Sequence, residues 1–162
     1  SVSLDPPLLL VCLAKRSTLK YRTQDTVDLA DALLSYRLAP GQAPVSATQA
    51  AGPTPIFIVG MHRSGTTLLE QLLQGHSDVR GLGELYDFTC QMRQATGHHC
   101  RGVIDNEIVR LAIGVDFDAV GRGYLEGVAW RLGKEKIFID KLPSNFLNAG
   151  FICRATAIAT GS

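Results

Sequence analysis

Arg63, Thr66 and Thr67 stand inside a glycine-bounded stretch, PIFIVGMHRSGTTLLEQLL, that runs from Pro55 to Leu73. Its loop is close to the phosphate-binding pattern G-x-x-x-x-G-K-[ST]. Gly60, Gly65 and Thr67 are in place, Thr66 stands where the lysine belongs, and a basic residue comes earlier, at Arg63. Small residues let backbone N–H groups converge on an anion, and the helix that follows adds its N-terminal dipole. Ser64, Gly65, Thr66 and Thr67 would offer those groups. Arg63 adds a planar fork suited to a tetrahedral oxyanion. Thr66 cannot supply the charge with which the usual lysine reaches a β- or γ-phosphate.

Two further residues have the right types for chemistry. Glu84, in LGEL, follows a short apolar stretch; a carboxylate there could take a proton, although a lone Glu before a helix is ordinarily a cap or a solvated charge. Lys141, in DKLP, follows the run KIFID, and ligand crevices of parallel sheets lie at the carboxyl ends of strands. Asp140 beside it reads as a helix cap or as the partner of a basic residue. Cys90, His98, His99 and Cys100 fit no common zinc spacing, so a polar loop beside a buried thiol is expected and no metal is assigned. His76 reads as a helix-end residue.

These residues need elements to hold them. Ile56–Val59 is a continuous apolar run that predicts a strand buried on both faces. Residues 66–74 predict a helix with Leu68, Leu69, Leu72 and Leu73 as its buried stripe. A short strand over 79–82, a helix over 85–94, a helix capped by Asp116 and reaching Leu132, and a strand over 136–140 follow. Strands alternating with helices imply an α/β fold, a P-loop-like parallel sheet with flanking helices. Upstream, Asp25–Leu38 predicts a helix with Val27, Ala30, Leu33 and Leu34 on one face. Residues 39–53 carry no charge and are rich in Pro, Gly, Ala, Gln and Ser, the composition of a linker.

The chain has 162 residues, 46% hydrophobic and 19% charged, which suits one modest globular domain and argues against disorder. A net charge of +1 gives no broad field for nucleic acid, so anion binding must come from local geometry. Cys12, Cys90, Cys100 and Cys153 form no C-x-x-C pair, which favours free thiols and a cytoplasmic location. The apolar run Leu8–Ala14 is too short for a membrane span. Oligomeric state is not legible.

The stretch PIFIVGMHRSGTTLLEQLL resembles the 5′-phosphosulfate-binding loop of sulfotransferases, in particular the bacterial sulfotransferases linked to tetratricopeptide repeats and related to protein-tyrosine sulfotransferases. The resemblance continues through HSDVRGLGEL (76–85), FDAVGRGYLEGV (117–128) and FIDKLPSNFLNAGFI (138–152). It departs at His62, where that branch usually has proline. The resemblance implies a donor, 3′-phosphoadenosine 5′-phosphosulfate, as co-substrate without a metal, held by Arg63, Ser64, Gly65, Thr66 and Thr67. It implies Glu84 as general base, Lys141 as the cation at the leaving oxygen, and Arg63 as a further catalytic contact. The acceptor it implies is a hydroxyl, that of a peptidyl tyrosine, a carbohydrate or a small molecule.

The linker divides the chain into 1–52, an N-terminal helical segment and linker, and 53–162, which the resemblance makes the N-terminal part of a sulfotransferase domain. The family's arginine–serine motif for the 3′-phosphate is not found after Lys141, where RATAIATGS stands in place of an expected arginine-containing strand. A truncated domain is therefore expected, with an apolar sheet edge bared beside Ile137–Ile139. Two alternatives stand beside the enzyme: an inactive anion-binding fragment, and a nucleotide kinase or triphosphatase with a degenerate loop.

Overall fold

The computed structural model describes residues 22–38 and 53–159. Within them the chain runs α1 (Thr23–Leu38), β1 (Thr54–Phe57), α2 (Thr66–Leu73), β2 (Val79–Gly81), α3 (Asp87–Thr96) and α4 (Asn106–Leu111). It continues through a 3-10 turn (Ala112–Gly114), α5 (Phe117–Ala129), β3 (Ile137–Asp140), a second 3-10 turn (Pro143–Asn148) and α6 (Ala149–Ala159). The run Leu8–Ala14, Cys12 and the linker over 39–52 lie outside the described residues.

Among the described residues the sheet has three parallel strands in the order β1–β3–β2. Ile56 pairs with Ile139 and Phe57 with Asp140 on one flank; Val79 pairs with Ile137 and Gly81 with Ile139 on the other. The α/β architecture with helices on both faces is thus the one the alternating pattern predicts. One expectation fails. Ile137–Ile139 is no bared edge but the middle strand, with Phe138 and Ile139 fully buried. β1 also ends at Phe57 rather than Val59 and is only partly buried, with Val59 exposed.

Alternation along the strands sends Phe57, Phe138 and Asp140 to one face. There Tyr124 of α5 meets Phe57 at a centroid distance of 5.6 Å, Phe88 of α3 at 5.8 Å and Phe138 at 6.1 Å. Tyr124 is reached because α5 repeats apolar residues at helical spacing, Val120, Tyr124 and Val128, all buried. Asp116 caps that helix as expected, accepting the Ala119 amide N–H. Phe151 of α6 joins Phe117 of α5 and Tyr36 of α1. α1 turns Leu29, Ala32, Leu33 and Tyr36 to the core, not the Val27 face, since Val27 and Leu34 are exposed.

The opposite face carries Gly81 and Ile139, and α2 covers it. A Cβ at Gly81 would come within 2.3 Å of the Gln74 side chain, so glycine is what lets that side chain lie across β2 as it does. The stripe expected for α2 is overturned. Leu68, Leu69 and Leu72 are exposed, while Glu70 is the buried residue of that helix. The leucines form a face as their period requires, but the sheet lies under the neighbouring face, and no described element packs on the leucines. The segment over 149–159 is helical, and its Arg154 donates to the Tyr36 hydroxyl at 2.8 Å.

Candidate functional site

The carboxyl ends of all three strands open on one side. From β1 the chain enters the glycine-bounded loop, from β2 the turn that carries Glu84, and from β3 the segment that begins with Lys141. An open cleft of about 410 Å³ lies there, lined by His62, Arg63, Gly65, Thr66, Thr67, Glu84 and Pro143. Residues distant in sequence but expected to act together therefore share one space.

The loop holds its shape through its own backbone. Gly65 is left-handed at φ 86°, and Arg63 at φ 63° is the one non-glycine residue with positive φ among those described. A side chain in that region costs about 1–2 kcal/mol, so the loop holds Arg63 in a conformation it would otherwise avoid. Ser64 closes the turn: its hydroxyl donates to the Met61 carbonyl at 2.6 Å and its amide to the same oxygen at 3.3 Å. Gly60 N–H donates to the Pro143 carbonyl at 3.1 Å, joining the loop to the segment after β3. Helix geometry leaves the first amides of α2, at Thr66, Thr67 and Leu68, without intrahelical acceptors, and the N-cap Gly65 has no side chain to satisfy them. These donors, two threonine hydroxyls and Arg63 suit an anionic group.

Glu84 and Lys141 meet. Lys141 Nζ donates to Glu84 Oε1 at 2.9 Å. The lysine side chain is 8% exposed and the glutamate 50%, so the cation is the fixed partner. Their backbones are joined as well, since the Lys141 amide donates to the Gly83 carbonyl at 2.9 Å.

Asp140 takes neither role expected of it. It is fully buried, and its Oδ2 accepts the Tyr124 hydroxyl at 3.0 Å. Burial pushes its carboxyl up to about 7, the Tyr124 hydroxyl and the Leu85 backbone amide oppose this, and the charges of Asp87 and Glu70 add to it. Tyr124 is raised in turn by burial and by Asp140.

The histidine–cysteine segment lies apart from this cleft. His98 Nε2 sits 2.9 Å from Asp105 Oδ2, Cys100 is the buried thiol and donates to the Gly102 carbonyl, and Cys90 is exposed. Among the described residues no group of three or more His, Cys, Asp or Glu could hold a metal ion. His76, past the end of α2, accepts the Asp78 amide through Nδ1. No helix among the described residues is long and apolar enough to cross a membrane.

Sequence reading missed Pro143, Tyr124 and Glu70. Tyr124 was legible only as one member of an apolar row, and Glu70 as a polar interruption between leucine pairs.

Comparison with known proteins bears on residues 55–159, which match a family model described as the sulfotransferase family. An uncharacterized protein of Aquifex aeolicus (strain VF5) is 35% identical over 103 residues, covering 60% of this chain and 13% of that protein. The chain thus spans about an eighth of the length of that curated relative. No solved structure matches.

Proposed function

The chain belongs to the sulfotransferase family, and from that premise we propose that it transfers a sulfuryl group from 3′-phosphoadenosine 5′-phosphosulfate to a hydroxyl, a peptidyl tyrosine being the first acceptor to test. The observation that carries this reading is the Lys141–Glu84 pair beside a cleft lined by Arg63 and the start of α2. In it, Arg63 and the amides and hydroxyls of Thr66 and Thr67 hold the 5′-phosphosulfate.

The acceptor oxygen attacks sulfur in line with the bond to the bridging oxygen of the 5′-phosphate. A new S–O bond forms as that bond breaks, and its electron pair stays on the phosphate. Lys141 neutralises the charge growing on the departing oxygen, and Glu84 accepts the acceptor's proton. The ion pair must open for both to act. Because Lys141 is held and Glu84 half free, it is Glu84 that swings toward an arriving hydroxyl. Thr66, in place of the lysine of nucleoside triphosphatases, leaves the cation to come from β3 instead.

The test is transfer of label from ³⁵S-phosphosulfate donor to a tyrosine-containing peptide, with the phenylalanine analogue as control. Label on the tyrosine peptide alone supports the reaction and this acceptor class. Donor binding without transfer to peptide, carbohydrate or phenolic acceptors would favour an anion-binding role.

A further inference from the structure

We propose that Glu70, buried on α2, is a positioning residue for Glu84 and Lys141, acting through the backbone of Gly83. The inference rests on the reaction proposed above and deepens it.

Glu70 is 6% exposed, and its Oε1 accepts the Gly83 amide N–H at 2.8 Å. Gly83 is left-handed at φ 71°, a conformation that glycine adopts without penalty. Its two backbone groups are both taken: the N–H by Glu70, the C=O by the Lys141 amide. The next residue is Glu84, whose side chain returns to Lys141 Nζ. The contacts thus close a ring from α2 to the turn after β2, on to the end of β3 and back to that turn. A carboxylate accepting from an amide makes a charge-assisted bond, stronger than one between neutral groups. The Gln74 side chain lies over Gly81, so the same helix also approaches the same strand there.

Glu84 cannot anchor itself. It is half exposed, and its one described bond goes to Lys141, the group it must leave to accept a proton. When that bond opens, the position of its Cα depends on Gly83, and so on Glu70. A merely structural Glu70 would satisfy a buried amide and affect stability alone. A positioning Glu70 affects turnover while sparing the donor site at the other end of α2.

Hydrogen exchange at the Gly83 amide, followed by NMR, and steady-state transfer kinetics test this together. Glu70→Ala is expected to speed Gly83 exchange by about tenfold or more, and to lower kcat by about thirtyfold with donor KM changed by less than about threefold. Glu70→Gln keeps an acceptor oxygen, and is expected to restore both to within about threefold of wild type. If Glu70→Ala does not fold, Glu70→Asp withdraws the acceptor by one methylene and should show the same split. Unchanged Gly83 exchange in the shortened variants overturns the anchor; faster exchange with unchanged kcat overturns the positioning role. A wild-type chain that transfers no label overturns the reaction and Glu70's part in it, while Gly83 exchange still decides whether Glu70 holds the loop.

Discussion

Lys141 and Glu84 form an ion pair 2.9 Å long whose two ends differ in freedom: the lysine is walled in and the carboxylate is half in solvent. Such asymmetry suits a fixed electrostatic group beside a movable base. It also means that the pair contributes little to stability, because its exposed end is screened by water.

Glu84→Gln should therefore leave the fold and donor affinity nearly unchanged while turnover drops by about a hundredfold, in the range general-base removal produces. Calorimetric titration of the nucleotide alongside kcat separates the two effects. Full turnover in the variant would move the base elsewhere.

Lys141→Ala should lower kcat by about a hundredfold or more, since a preorganised cation at a departing oxygen is worth several kcal/mol. The loss should be larger for donors with poorer leaving groups. A dependence on leaving group that matches wild type would show that Lys141 does not act there.

Arg63 is expected to show opposite effects on binding and stability. Arg63→Gly relieves the left-handed strain at φ 63° and should raise stability by up to about 1 kcal/mol. It should nonetheless weaken donor binding by about tenfold or more through loss of a charged contact. Arg63→Lys should keep part of the affinity, because the forked geometry is lost while the charge remains. Thermal melts and titrations of both variants check this, and undiminished binding by Arg63→Gly would remove the residue from the site.

Asp140 predicts a pH dependence with an unusual sign. Its carboxyl titrates at about 7 in the fold and near 3.9 when unfolded. Between those values the folded state holds the extra proton, so this group's contribution to stability falls as pH rises from about 4 to about 7 and then levels off. Asp140→Asn is neutral throughout. Its stability relative to wild type should grow across that window, as measured by urea midpoints. A constant difference would show that Asp140 is ionised in the fold at all these pH values.

Much of this was legible in the residues. Arg63, Glu84 and Lys141 stand at the carboxyl ends of apolar runs, and parallel strands bring such ends together. Asp116 announced α5 because a capping residue precedes a regular apolar spacing. Glu70 was not legible: periodicity shows that α2 has a leucine face, but not that the sheet lies under another. Asp140 was misread because its partner Tyr124 looked like an apolar core residue. α4 went unseen because Asn106–Leu111 is too short to display a period.

The place of β3 between β1 and β2 bears on the order in which the chain can be made. The two flanking strands pair with β3 and not with each other. A growing polypeptide that has emerged only as far as β2 holds β1 and β2 without the strand that joins them. It stays so until residues 137–140 arrive, with Lys141 directly behind them. The step that joins the described strands is also the one that delivers the buried cation. Chains stopped before β3 would therefore present unpaired strand edges to chaperones and proteases, and those carried past it acquire fold and cleft together.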